Sequence, residues 1–150
     1  MTAPDPASRP EAERLAIEFL SRVWGPAQDL DAIDELMTED YVIHSAGSSI
    51  RGRDAFKAWV AGFQTVLEDA RNEILEVFAD ASGERVVSRW LCTGRNRGIF
   101  GLPADGRDVA FTGIAIWRVR EGRLAECWAE RAALEAFRAL AGEVPRPVHS

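Results

Sequence analysis

Arg89-Trp90-Leu91-Cys92-Thr93-Gly94-Arg95-Asn96-Arg97-Gly98-Ile99-Phe100-Gly101-Leu102-Pro103-Ala104-Asp105-Gly106-Arg107-Asp108-Val109 leads into Phe111-Thr112-Gly113 and on to Glu121-Gly122-Arg123-Leu124-Ala125-Glu126-Cys127-Trp128. The stretches flanking Pro103 to Gly106, and those flanking Glu121-Gly122, are rich in β-branched and aromatic residues, the composition of strands joined by turns. Extended along the chain, this reading predicts strands over 74–79, 85–93, 109–119 and 123–131, with another turn at Ser82-Gly83.

Before these strands the period is helical. Ala12, Leu15, Ala16, Phe19 and Val23 recur at helix spacing behind Ser8 and Glu11, which have the spacing of a capping box. This first helix is expected to stop before Gly25-Pro26. Asp29 or Asp31 can cap a short second helix carrying Leu30, Ile33, Leu36 and Met37, after which Tyr41 to His44 reads as extended. Gly47-Ser48-Ser49 and Gly52 mark a loop. From Asp54, the residues Phe56, Trp59, Val60, Phe63 and Leu67 form an amphipathic third helix with a broad aromatic face. Leu134, Phe137 and Leu140, followed by Gly142, predict a short closing helix. Helices first and a meander of long strands afterwards predict an α+β domain with helices packed on one sheet face.

Length and composition set the boundaries. A chain of 150 residues, 47% hydrophobic, suits one domain with one core. Residues 1–7 read as a disordered lead-in, 8–142 as the domain and 143–150 as a tail. The 18 basic and 24 acidic residues give a formal charge of −6, which argues against nucleic acid as a partner. No apolar run nears the ~20 residues of a membrane span, and Met1-Thr2-Ala3-Pro4-Asp5-Pro6 has no basic region followed by an apolar stretch; a cytoplasmic protein without a membrane partner is expected. Cys92 and Cys127 have no metal spacing and read as buried free thiols.

The ordered series from Arg89 to Trp128 resembles the SnoaL-like polyketide cyclases of the nuclear-transport-factor-2-like superfamily, over roughly residues 11–140. The resemblance implies a cone-shaped α+β barrel, in which a curved antiparallel sheet is wrapped by three N-terminal helices around an apolar pocket. It also implies a homodimer built on the outer sheet face, and cyclase chemistry without metal or organic cofactor. Three positions depart from the family pattern. Asn96 stands where the family has histidine, Arg95 where it has threonine, and Ala132 where it has the acid four residues after the tryptophan. In the family that acid is the general base; an alanine cannot remove a proton.

The site must then rest on other groups. Alternate side chains of a strand share a face, so Leu124, Glu126, Trp128, Glu130 and Ala132 are expected on one side, and Ala125, Cys127, Ala129 and Arg131 on the other. Glu130 shares the parity of position 132 and is the leading catalytic candidate, the alternative being a solvated ion pair; a β-bulge in this strand would turn it to the other face. His44, in Asp40-Tyr41-Val42-Ile43-His44, matches a family position and is the natural alternative proton carrier, or else bonds backbone at the cone wall. Arg89 is either a clamp for a substrate oxygen or half of a sheet ion pair with an acid such as Glu126. Asn96 can donate to a substrate carbonyl or bond its own loop. Tyr41, Trp59, Phe63, Trp90 and Trp128 are the expected pocket lining for a flat or long apolar ligand, against the plainer reading of core packing.

Three functions follow from these residues. The first is a cofactor-independent cyclase or isomerase acting on a polyketide-like or other apolar secondary metabolite by acid/base chemistry, which includes epoxide-opening hydrolysis or cyclic-ether formation. The second is a binding module that kept the cone and lost the chemistry. The third is a dimerisation unit.

Overall fold

The computed structural model describes residues 9–142, so the expectations for 1–7, for Ser8 as a cap and for 143–150 lie outside the described residues. Four α-helices and six strands follow in the order α1 (Glu11–Arg22), α2 (Asp31–Leu36), β1 (Met37–Ser45), β2 (Ser48–Arg51), α3 (Arg53–Gln64), β3 (Leu67–Ala79), β4 (Arg85–Asn96), β5 (Asp108–Arg120), β6 (Arg123–Arg131) and α4 (Leu134–Leu140), with one 3-10 turn at Ile99–Gly101. This is the α+β fold expected, with two differences. The sheet, of order β2-β1-β6-β5-β4-β3, is curved but not closed, and it is mixed rather than antiparallel, because β1 runs parallel to β6. Parallel neighbours need a long crossover, and the whole stretch from β2 to β5 supplies it.

The helices cover one face of the sheet. Ala12, Leu15, Ala16, Phe19 and Val23 are all buried, so the spacing read as amphipathic is the face that α1 turns to β3, β4 and β6. α3 buries Phe56 and Val60 over β1 and β2, and it stops at Gln64; Leu67, which continued the helical pattern, instead opens β3. The segment around Ser48 and Ser49, expected as a loop, is the short edge strand β2. Positive φ at Ala46 (52°) and Gly47 (78°) makes its hairpin turn, the backbone sense that fits the twist of paired strands.

Two departures from regular pairing set which side chains meet the helices. Between Arg118 and Val119 of β5 the register with β6 shifts, so that Arg118 faces Glu126 while Val119 faces Leu124, and Ala125 is the extra residue. Leu124 and Ala125 are consequently both buried, and beyond this bulge Cys127 and Ala129 face inward. In β1 the register with β6 shifts between Met37 and Val42, and Tyr41 and Ile43 point into the core. Cys92 and Cys127 are buried free thiols. No helix among the described residues is long and apolar enough to cross a membrane.

Candidate functional site

Between the helices and the inner sheet face lies a narrow cavity of about 40 Å³, lined by Phe19, Trp24, Tyr41, Phe56, Trp59, Phe63, Trp90, Phe111 and Trp117. Phe56, Trp59 and Phe63 project from one face of α3, and their rings follow one another at 6.2 and 5.7 Å between centres. Trp24 closes the row edge-on, 5.5 Å from Phe63 and 6.2 Å from Trp59. On the sheet side Trp90 lies over Gly113, its partner across the β4–β5 pair; a Cβ at Gly113 would come within 2.4 Å of the indole, so only glycine leaves room for it. A lining of this kind suits a small apolar ligand.

Few polar groups reach this cavity, and they lack partners. The Tyr41 hydroxyl lies beside the Trp117 indole and the Cys127 thiol. Yet neither the hydroxyl nor the Trp117 Nε1 makes a hydrogen bond within geometric limits, and the Asn72 Oδ1 is likewise buried without a partner. Buried polar atoms are nearly always paired, and of the six without a side-chain or backbone partner among the described residues, these three belong to residues that line the cavity. Burial raises the Tyr41 phenol well above its ordinary range, and it lifts the thiols of Cys92 to about 11 and Cys127 to about 12. All three therefore stay protonated near neutrality, as donors rather than bases or nucleophiles.

Among the described residues, the only formal charge on the cavity wall is Arg131, the last residue of β6. Its guanidinium carbon sits 4.8 Å from the centre of the Trp59 ring and 5.6 Å from that of Phe63, a cation–π arrangement at the neck where the inner cavity meets the rim. No carboxylate or carbonyl among the described residues pairs with it. Burial lowers its pKa, but an arginine remains a cation near neutral pH.

Of the residues singled out from sequence, Tyr41, Trp59, Phe63 and Trp90 line the cavity. The others do not. The bulge at Ala125 turns Glu126, Trp128 and Glu130 away from the helices, which corrects the expected facing of β6; Glu130 is exposed and lines the rim groove beside Arg131 and an outer groove with Arg89 and Thr112, not the inner cavity. His44 is on the outer face too, its Nδ1 2.7 Å from the Ser49 hydroxyl, its Nε2 2.7 Å from Glu126, and its ring stacked on Trp128 at 5.6 Å. Glu126 also takes Arg118 at 2.9 Å, so the pair expected with Arg89 is not formed; Arg89 meets Glu76 across the sheet at 3.4 Å.

Asn96 is buried, but as the organiser of its loop. Its Oδ1 accepts from the backbone N–H groups of Gly98 and Ile99, and its Nδ2 donates to the Pro103 carbonyl and to Asp105. Its amide has no capacity left for a substrate. Arg131 was missed from sequence. One signal for it existed: Ala125, Cys127 and Ala129 are small and apolar while their neighbours are Glu126, Trp128 and Glu130, an alternation that marks the first set as the inner face and Arg131 as its single charge.

Helices folded over an open sheet around an aromatic cavity define the class to which this chain belongs. The family model of the SnoaL-like polyketide cyclases matches residues 14–140, and the protein is a member of that family. Solved structures with this fold include a protein assigned as a SnoaL-like polyketide cyclase from Jannaschia sp. CCS1, 17% identical, covering 96% of this chain and 100% of that one at a TM-score of 0.82. AclR from Streptomyces galilaeus, assigned as a hydroxylase, is 21% identical over 93% of this chain and 87% of its own, with a TM-score of 0.79. An LEH-like epoxide hydrolase of M. tuberculosis is 21% identical over 88% of this chain and 90% of its own, with a TM-score of 0.68. Among curated proteins no sequence match was found. At these identities the likeness concerns the fold.

Proposed function

We propose that this protein is a cofactor-independent cyclase or isomerase that folds a polyketide-like, apolar metabolite inside the inner cavity. The observation that carries this is the set of three unpartnered polar atoms, Tyr41 Oη, Trp117 Nε1 and Asn72 Oδ1, on an otherwise aromatic wall. Tyr41 and Trp117 can donate to one carbonyl oxygen, and Asn72 can accept from a hydroxyl. Two fixed donors aimed at an oxygen stabilise the charge that develops there when a neighbouring carbon loses its proton, and they do so without reorganising. Among the described residues no carboxylate or imidazole lies on the cavity wall, so the substrate must carry an already acidic C–H, as a carbon between two carbonyls does, and the proton leaves to water. Catalysis then comes from positioning and oxyanion stabilisation. Epoxide opening, which needs a paired acid and base about one water, is less well served by this lining.

Incubation with a linear aromatic β-diketone, followed by mass spectrometry for the ring-closed product, tests the reading. Tyr41→Phe should lower turnover by about 10²-fold while leaving thermal stability unchanged or slightly raised, since it removes a hydroxyl that has no partner. Turnover unaffected by Tyr41→Phe sinks the proposal. The absence of a carboxylate from the cavity favours a second reading, a binding module. Ligand extracted from the purified protein and returned chemically unchanged after incubation would support it. The same proposal places a second copy of the chain on the outer sheet face, where Phe78 and Ile114 stand about half exposed.

A further inference from the structure

We infer that the occupant of the inner cavity is an anion, a flat apolar molecule whose carboxylate or ionised enol oxygens pair with Arg131. This rests on the cavity reading above and specifies its substrate class. Arg131 is a cation at the neck of an aromatic cavity, stacked on Trp59 and Phe63, with no counter-charge among the described residues. The other arginines that the structure pairs show what this chain ordinarily does with a guanidinium: Arg22, Arg95 and Arg118 each sit on carboxylates at the surface. Taking a cation out of water is costly unless a partner or a ring face compensates, and ring faces leave the in-plane N–H donors of a guanidinium without an acceptor. Its N–H groups have no carboxylate or carbonyl partner among the described residues although the side chain lines the cavity, and a guanidinium fork matches two oxygens of one carboxylate.

The rest of the wall agrees. Cys92, Cys127, Ala129 and Phe111 offer no competing positive charge, and the Tyr41 and Trp117 donors lie deeper, where they would take a second, neutral oxygen. An acceptable ligand thus has an anionic end at the neck and an apolar ring system inside.

The test uses 2-naphthoate and its neutral counterpart 2-naphthamide, with binding read from quenching of the cavity tryptophans. Wild type should bind the acid at least about ten-fold more tightly than the amide. Arg131→Met should abolish that preference while keeping affinity for the amide, and Arg131→Lys should retain part of it. 2-Naphthol, neutral at pH 7 and ionised at high pH, separates the two anion sources: tightening only as it ionises assigns an enolate-like oxygen, whereas naphthoate binding that falls as pH drops through its own pKa assigns a carboxylate. Arg131→Met should also melt at a higher temperature than wild type, because it removes a partly buried charge that no carboxylate pairs. Equal binding of acid and amide to wild type, or a preference that survives Arg131→Met, overturns this inference and leaves the apolar-cavity reading intact. Failure of both probes to bind at their solubility limit overturns the two together.

Discussion

Asn96 uses every hydrogen-bonding site of one amide, two donors and two acceptor lone pairs, to fix the turn from Gly98 to Asp105. Asn96→Ala should therefore cost about 2–3 kcal/mol, because it strands backbone groups in a buried place; chemical denaturation measures it. Asn96→His, which restores the family residue, should destabilise as well, since a neutral imidazole offers one donor and one acceptor where four sites are needed. Asp105 in the same loop is held down to about 2, first by the Arg107 backbone N–H and then by its guanidinium, with Asn96 contributing. A carboxylate whose folded pKa is depressed stabilises the fold above its ordinary pKa of about 4, and that stability fades as pH falls toward the folded value. Thermal melting of wild type should thus drop between about pH 4 and pH 2, and Asp105→Asn should flatten that drop. The resemblance could mark position 96 as different. It could not supply the four partners that give the asparagine its role, because three of them are backbone groups placed by the loop itself.

Strand β6 is where one element decides the chemistry. Its alternation is plain in the sequence, but parity alone leaves open which set of side chains faces the helices. The extra residue at Ala125 resolves it, burying Leu124 and Ala125 in succession and so exchanging the faces beyond them. Glu130 thereby moves to the rim and Arg131 to the cavity. Across the β4–β5 pair, Gly113→Ala should drive a methyl into the Trp90 indole and cost about 1–3 kcal/mol through overpacking. A thermal melt checks this, and a changed quenching profile for 2-naphthamide would report the distorted wall. The helices were the more legible elements, since a helix facing a sheet must show its apolar stripe. α1 does so at each position read from the spacing.

At the scale of the whole molecule the sheet has two unlike faces. One is covered by helices and holds the cavity. The other carries the His44–Glu126–Arg118 network beside exposed Leu75, Phe78 and Ile114. A second copy seated there would hide this apolar surface, as the proposal has it. Light scattering behind size exclusion should give about twice the 16.6 kDa chain mass, and Ile114→Lys should shift the protein toward monomer; a wild type that runs only as monomer removes the second copy from the proposal. The α+β order, the strand and helix periods and the family were legible in the chain alone, because these depend on local spacing and turn chemistry. The parallel β1–β6 seam, the open sheet, the inward turn of Arg131 and the outward turn of Glu130 and His44 were decided only by the tertiary structure. Each depends on register between strands distant in the chain, and one inserted residue in that register moves every later side chain to the opposite face.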